Sequence, residues 1–272
     1  VALADQFDGF LIDLDGVVWI GREPVPGSAE TLKALLAAGK PIVFVTNNPG
    51  RPPAVYAERL GALGVAVGAE RIVTAGMVAA RLAAAAAGPE GTVFVIGAPA
   101  LKEMVAASAT LLEGEAGAEA GVVVVSGHRG FDYEELLTAK RALDGGAALF
   151  ATSRDPTLPM PGGEWPGTGS ILAAVETASG RVAEIAGKPE PHLFEMAVAA
   201  LGRGSLGTQE VPKEPRVGRV AMVGDRLSSD VVGGQRAGLA TIWVRSGTDS
   251  EDGESAEPRP DHVVDDLAGL LR

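Results

Sequence analysis

Four short stretches carry oxygen- and nitrogen-bearing side chains of the kind that reactions use. They are Asp13 and Asp15 around Leu14, then Thr46-Asn47-Asn48, then Lys188 behind Gly187, and Asp225 with Asp230. The first interrupts an apolar run, Phe10-Leu11-Ile12-Asp13-Leu14-Asp15-Gly16-Val17-Val18. A spacing of two puts both carboxylates on the same side of an extended chain. A buried carboxylate pair is costly unless a cation or a shared proton compensates it. Taken alone, the run is equally a strand ending in a polar Asp-Gly turn. Together, three or four carboxylates around one point demand a hard cation, and oxygen ligands favour Mg²⁺. A lysine and a hydroxyl beside them supply the positive charge and hydrogen-bond donors that a transferring phosphoryl group needs. The chemistry this suggests is phosphoryl transfer to a carboxylate, giving an aspartyl-phosphate that water then hydrolyses.

These residues act together only if the fold gathers them. Residues 28–38 read as a helix, with Ser28 as N-cap, a stripe of Leu32, Leu35 and Leu36, and Gly39 as the stop. Residues 41–45 form a β-rich run ending at Thr46. Strand, helix and strand of these lengths make a βαβ unit and a parallel sheet. That places Thr46 at a carboxyl end beside the end of the first strand, where α/β sheets bind ligands. An Asn-Pro-Gly turn capping the next helix, residues 53–63, is the plainer account of Thr46-Asn47-Asn48. Residues 72–74 read as a strand, 81 onward as alanine-rich helix, and 217–223 as a buried strand running into Gly224-Asp225. Short strands at 241–244 and 262–264 close the chain, separated by an acidic loop over 246–261.

The middle third keeps its own rhythm: strands at 92–96, 121–125 and 148–152 alternate with helices at 100–107 and 133–143. It reads as an inserted domain of roughly 100 residues. Its last part, residues 153–169, is rich in Pro and Gly and reads as a loop lying over a site, followed by a helix at 170–178. The expected architecture is α/β: a doubly wound parallel-sheet core over residues 1–79 and 183–272, and a smaller α/β cap over 80–182.

The 272 residues suit one large or two modest domains. Aromatics at 4% favour helix-on-sheet packing, and the absence of cysteine excludes disulfides, thiolate metal sites and a cysteine nucleophile. A net charge of −12 argues against nucleic acid or an anionic membrane as partner. With neither a signal-peptide pattern nor a span-length apolar window, the expected compartment is the cytoplasm.

In this order the motifs resemble the haloacid dehalogenase (HAD) superfamily of phosphatases. Asp13-Leu14-Asp15-Gly16, Thr46-Asn47-Asn48, Lys188 and Gly224-Asp225 with Asp230 match its four motifs. The cap position, Pro166-Gly167-Thr168-Gly169, Gly187-Lys188-Pro189 and Gly224-Asp225-Arg226-Leu227 resemble the NagD-like, or nitrophenyl phosphatase/phosphoglycolate phosphatase, branch. The resemblance implies Asp13 as nucleophile and Mg²⁺ ligand, and Asp15 as general acid, then base, with its backbone carbonyl on the metal. It implies Thr46 and Asn47 holding the phosphoryl oxygens, Asn48 nearby as part of the substrate site, and Lys188 neutralising both nucleophile and phosphate. Asp225 would ligate Mg²⁺, and Asp230 would support the metal's water shell or Lys188. The implied substrate is a small phosphorylated metabolite such as glycerol phosphate, phosphoglycolate or nitrophenyl phosphate, and the implied assembly is a homodimer through the cap. One departure bears on the substrate: Ser126-Gly127-His128-Arg129-Gly130 has His128 where the branch carries Asp. His128 and residues 155–161 are therefore candidates for facing the substrate.

Two other outcomes fit the same residues: a phosphotransferase or mutase passing the phosphoryl group to a sugar, and a non-catalytic Mg²⁺-binding phospho-acceptor module. The length of the chain, and both carboxylates lying on the first strand, argue against the latter. Gly202-Arg203-Gly204-Ser205-Leu206-Gly207 fits a dinucleotide pattern but follows a helix instead of a strand. Gly187-Lys188 is not a P-loop, and His192 and His262 lack partners at ligand spacing.

Overall fold

The computed structural model describes residues 2–202, 219–247 and 258–272. In chain order come β1 (Gly9–Asp13), a short hairpin of β2 (Trp19–Ile20) and β3 (Glu23–Pro24), α1 (Ser28–Ala37), β4 (Ile42–Thr46), α2 (Pro53–Ala62), β5 (Ile72–Thr74) and α3 (Ala75–Ala87). Then follow β6 (Thr92–Ile96), α4 (Pro99–Ala106), β7 (Thr110–Leu112), β8 (Val122–Val125), α5 (Tyr133–Asp144) and β9 (Ala148–Ala151). A hairpin of β10 (Thr157–Met160) and β11 (Gly163–Pro166), α6 (Thr168–Ser179) and β12 (Glu184–Ile185) complete that stretch. The chain returns through α7 (Pro191–Leu201), β13 (Val220–Gly224), α8 (Val232–Arg236), β14 (Ala240–Val244) and β15 (His262–Val264).

The larger sheet has the order β15-β14-β13-β1-β4-β5, and all its pairings are parallel. Its central strands β1, β4 and β13 are buried on both faces, as parallel sheets covered by helices require. Period-two alternation divides them. Leu11, Val43, Val45 and Met222 face α3 and α7, whereas Phe10, Ile12, Phe44 and Val223 face Leu32, Leu35 and Leu60 of α1 and α2. The chain leaves β1 toward β4 on one side and comes back to β13 on the other, so β1 stands at the point where the strand order reverses. In such sheets the crevice at the carboxyl ends there holds the ligand. Asp13, Thr46 and Asp225 lie at those three ends.

The smaller sheet, β12-β9-β8-β6-β7, is also parallel. One face, with Phe94, Val123, Val125 and Leu149, packs on α5 and α6; the other, with Val93, Val95, Val122 and Val124, shares a core with α3. The alanine-rich sequence of α3 thereby has a physical cause. Ala75, Val78, Ala79 and Ala83 are buried in the core that contains strands of both sheets, and small side chains allow that approach. The helix starts at Ala75, earlier than the expected residue 81, because Thr74 caps it by accepting the Met77 N–H.

The stretch 153–169 is not all loop. It carries the β10–β11 hairpin, a two-stranded ribbon in which each strand is an edge strand, where proline is tolerated. The strand expected over 217–223 is seen from Val220, with 217–218 outside the described residues, as are 203–207 of the dinucleotide-like stretch and 248–257 of the acidic loop. No helix among the described residues is long and apolar enough to cross a membrane.

Candidate active site

Asp13 ends β1 with 6% of its surface exposed, and its Oδ1 accepts the N–H of Leu14 at 2.8 Å. From the neighbouring strand, Asp225 follows β13 directly. Asp230 is turned back toward it by a single π-type turn, Leu227–Val231, a feature that recurs at functional sites. Asp230 Oδ2 accepts the Arg226 N–H at 3.0 Å. Asp13, Asp225 and Asp230 each offer a carboxylate oxygen, all within 4.8 Å of one another, and all three residues are buried. Lys188, 2% exposed, reaches between them, with Nζ 2.8 Å from Asp13 Oδ1 and 2.6 Å from Asp230 Oδ1.

The electrostatics follow from burial. Desolvation pushes the Asp13 carboxyl well above the ordinary carboxylate range; the Lys188 ammonium pulls it back, and Asp230 and Asp225 push it up further. Burial alone would lower the Lys188 ammonium, but the Asp13 and Asp230 carboxylates outweigh it and hold it above the usual lysine range. Among the described residues, three carboxylates gather around the one Lys188 ammonium. Asp230 Oδ1 also accepts no well-directed hydrogen bond among the described residues, the Lys188 ammonium being its compensation. This all-oxygen donor set fits a hard divalent cation such as Mg²⁺.

Gly16 makes the packing at this corner possible. Its φ of +92° favours glycine, and a Cβ there would lie 2.5 Å from Asp225 Cγ. Its N–H donates to the Trp19 carbonyl at 2.7 Å, and its own carbonyl accepts the Ser246 hydroxyl at 2.8 Å. Gly16→Ala is expected to cost about 1–2 kcal/mol in backbone strain and to displace Asp225. Apparent Mg²⁺ affinity, read from the metal dependence of activity, should weaken by about tenfold or more.

Asp15 stands apart from the three-carboxylate group. Its Oδ2 lies 3.4 Å from Thr46 Oγ1 and 3.5 Å from Asn48 Nδ2, and its Oδ1 accepts the Trp19 Nε1–H at 3.1 Å. Desolvation raises its carboxyl above the ordinary range, and the Trp19 and Asn48 hydrogen bonds partly offset this. Thr46 Oγ1 in turn accepts the Asn48 N–H at 3.0 Å, and Asn48 Oδ1 that of Gly50 at 3.0 Å. Asn47 turns both ends of its amide to the protein: Oδ1 accepts the Lys188 N–H at 2.8 Å, and Nδ2 donates to the Lys188 carbonyl at 3.1 Å and to Asp155 Oδ2 at 2.8 Å. Asn47 is thus a tie between the end of β4, the Lys188 backbone and the residues over the site.

A cavity of about 1020 Å³ opens above these groups and is lined by Asp13, Asp15, Thr46, Asn47, Asn48, Lys188 and Asp225, whereas Asp230 lies behind Lys188. The far wall comes from the inserted stretch: His128, Arg129, Asp155, Leu158 and Trp165. His128 Nε2 pairs with Glu135 Oε2 at 2.8 Å, and the Arg129 guanidinium lies 4.7 Å from the Trp165 ring centroid. Arg226 laces the two sides together, donating to the Thr157 carbonyl at 3.3 Å with its Nε 3.9 Å from Asp155 Oδ1. Composition marks residues 155–161 only as a loop; the Asn47–Asp155–Arg226 lacing has no signal in the sequence pattern, because it joins three distant segments.

Two family models match the chain: haloacid dehalogenase-like hydrolase over residues 10–109, and HAD-hydrolase-like over residues 185–270. Chronophin from Mus musculus is 36% identical over 98% of this chain and 92% of its own length. The crystal structure of glycerol phosphate phosphatase from Mycobacterium tuberculosis in complex with magnesium superposes with a TM-score of 0.86 at 34% identity, covering 100% of this chain and 78% of that one. The p-nitrophenyl phosphatase from Archaeoglobus fulgidus gives a TM-score of 0.80 at 31% identity, covering 97% and 98%. Four motifs in order at one sheet switch point, two family models, and relatives that cover nearly the whole chain lead to one conclusion: the chain belongs to the haloacid dehalogenase-like hydrolases.

Proposed function

We propose that the protein is a Mg²⁺-dependent phosphatase of small phosphomonoesters of the glycerol phosphate, phosphoglycolate or nitrophenyl phosphate type, working through an aspartyl-phosphate on Asp13. The observation that carries this is the buried Lys188 ammonium set between Asp13 and Asp230 and facing a cavity that Asp15 and Thr46 also line. Asp13 and Asp225, with the Asp15 carbonyl, would hold the cation, and Asp230 would support it from behind. When bound, Mg²⁺ supplies the positive charge that keeps Asp13 ionised and offsets the phosphoryl oxygens.

In the first step an Asp13 carboxylate oxygen attacks phosphorus, and the bond to the ester oxygen breaks. Asp15, its proton retained by a raised pKa, gives that proton to the leaving oxygen. In the second step the Asp15 carboxylate takes a proton from water, the resulting hydroxide oxygen bonds to phosphorus, and phosphate leaves with Asp13 regenerated. The Thr46 hydroxyl, the Asn48 amide and Lys188 would meet the phosphoryl oxygens, with Asn47 holding the Lys188 backbone in register. The same proposal divides the chain into a core of residues 1–79 and 183–272 and a cap of 80–182, with β12 still completing the cap sheet. His128 and residues 155–161 would face the leaving group, and two copies would pair through the cap, which sedimentation tests.

Phosphate release from 4-nitrophenyl phosphate, glycerol phosphate, phosphoglycolate and nucleoside monophosphates, with Mg²⁺ and with EDTA, tests the proposal. Turnover of at least one ester that is lost in EDTA and restored by Mg²⁺ is expected. No release from any ester, with a stable phosphoprotein after acetyl phosphate, would instead establish a phospho-acceptor module.

A further inference from the structure

We infer that Trp19 is a positioning residue for the acid step: its indole N–H holds Asp15 Oδ1 as a pure acceptor, so that the transferable proton is carried on Oδ2, the oxygen facing Thr46 and the cavity. The inference rests on the role proposed above for Asp15. Trp19 Nε1 donates to Asp15 Oδ1 at 3.1 Å, and an indole N–H can only donate. A carboxylic acid has one protonated oxygen, so an oxygen committed to accepting from Trp19 leaves the other to bear the proton. Oδ2 is that other oxygen. Thr46 Oγ1 at 3.4 Å and Asn48 Nδ2 at 3.5 Å also donate to it, but both bonds are longer than the one from Trp19 and hold it less firmly.

Any buried indole needs an acceptor, so the hydrogen bond alone would be unremarkable. What lifts it above that is how firmly the ring is set. Trp19 is fully buried, and the Tyr56 ring lies parallel to it (interplanar angle 6°) at 6.3 Å between centroids. The Arg59 guanidinium carbon sits 3.8 Å from its centroid. Tyr56 and Arg59 are three apart on α2 and so share a helix face. Each is itself tied to a segment of the site: the Tyr56 hydroxyl donates to the Asn48 carbonyl at 2.9 Å, and Arg59 Nη2 to the Gly21 carbonyl at 2.8 Å. Helix α2 thus fixes together the strand end that carries Asn48, the β2–β3 hairpin, and the ring that orients Asp15. A side chain that only filled core space would not require this arrangement around its one polar atom.

Leaving-group dependence separates a positioning role from a packing role. An alkoxide cannot leave without a proton, whereas 4-nitrophenolate can. The kcat/KM values for glycerol phosphate and 4-nitrophenyl phosphate would be compared in wild type, Trp19→Phe, Arg59→Leu and Asp15→Asn, with melting curves as a check on folding. Trp19→Phe is expected to lower the glycerol phosphate value about tenfold or more beyond any loss on 4-nitrophenyl phosphate, a fraction of the whole acid contribution. Asp15→Asn should move the same ratio further. Arg59→Leu, at a partly exposed position, keeps the N–H, loosens the ring and should move the ratio in the same direction by less. Equal losses on both esters in Trp19→Phe, or in Arg59→Leu should the indole variant fail to fold, overturn the inference and reduce Trp19 to a core residue. A ratio unmoved in Asp15→Asn also overturns it, while leaving the phosphatase reading intact. Absence of Mg²⁺-dependent release from either ester in wild type removes that reading and the inference with it.

Discussion

Asp13→Asn is expected to abolish phosphate release, lowering kcat by a factor on the order of 10⁴ or more, the scale on which a covalent nucleophile is missed. The substitution keeps the shape of the side chain and removes the attacking oxygen's charge. It also removes one of three mutually repelling buried carboxylates. In wild type the Asp13 carboxyl is held well above its ordinary range first by desolvation and then, against the pull of Lys188, by Asp230 and Asp225. The asparagine variant escapes that cost, and Lys188 keeps Asp230 as partner at 2.6 Å. Its melting temperature in EDTA is therefore expected to equal or exceed that of wild type, while the rise in Tm on adding Mg²⁺ should shrink. Phosphate-release assays and thermal melts on the same preparation check both halves. Full turnover in this variant would remove Asp13 from the chemistry, whereas an inactive but poorly folded variant would contradict the electrostatic account.

Much of the site lies in plain view in the sequence because its parts sit where strands stop. Asp13, Thr46 and Asp225 each follow a run of buried β-formers, and parallel strands bring such ends together whatever the loops do. Asp230 is harder to place. Five residues past Asp225 is neither strand nor α-helix spacing, and only the π-type turn over Leu227–Val231 brings it to Lys188. The β10–β11 hairpin hides inside a Pro/Gly-rich stretch because β11 is exposed throughout and Thr157, Leu158 and Met160 of β10 are all half-buried, so burial does not alternate along it. β7 and β12 are too short to show a period of their own. Asn47 shows a limit of another kind. Its residue type suits a phosphoryl oxygen, yet the fold turns its amide to the Lys188 backbone and to Asp155. Tertiary contacts between segments far apart in the chain decide where a polar side chain points, and local pattern carries no trace of them. In retrospect only the Tyr56–Arg59 helix face is legible, and its meaning comes from the indole N–H of Trp19 donating to Asp15 Oδ1.

Lys188→Met should be the most destabilising single change at the site, and its effect should depend on pH in a defined direction. The ammonium is 2% exposed and bridges two buried carboxylates, so its loss takes from Asp13 and Asp230 the cation that the described residues place between them, with Asp225 close by. Breaking a buried ionic pair from one side costs about 3–5 kcal/mol, equivalent here to a fall in Tm on the order of 10 °C. Lys188 is one of the influences that hold the Asp13 pKa down, so removing it raises that already elevated pKa further. Between the unfolded and folded pKa values of Asp13 the native state binds more protons than the unfolded chain, so native stability falls as pH rises. In wild type that fall ends at the lower of the two folded pKa values, and in the variant it continues to the higher one. The stability deficit of Lys188→Met is therefore smallest in acid, grows across the interval between the two, and holds above it until the alkaline range in which the lysine itself titrates, where wild type loses its advantage and the deficit shrinks. Thermal melts of both proteins in EDTA across pH check this. A second carboxylate change separates charge from packing: Lys188→Met combined with Asp230→Asn should recover a measurable part of the loss in a double-mutant cycle. Saturating Mg²⁺ should also restore part of the melting temperature of Lys188→Met, because a divalent ion can replace the missing positive charge among the carboxylates. It should not restore turnover, because the ammonium sits at the nucleophile itself, 2.8 Å from Asp13 Oδ1. A deficit independent of pH would mean that Lys188 stabilises the fold by packing alone, and the charge balance proposed for this site would then be wrong.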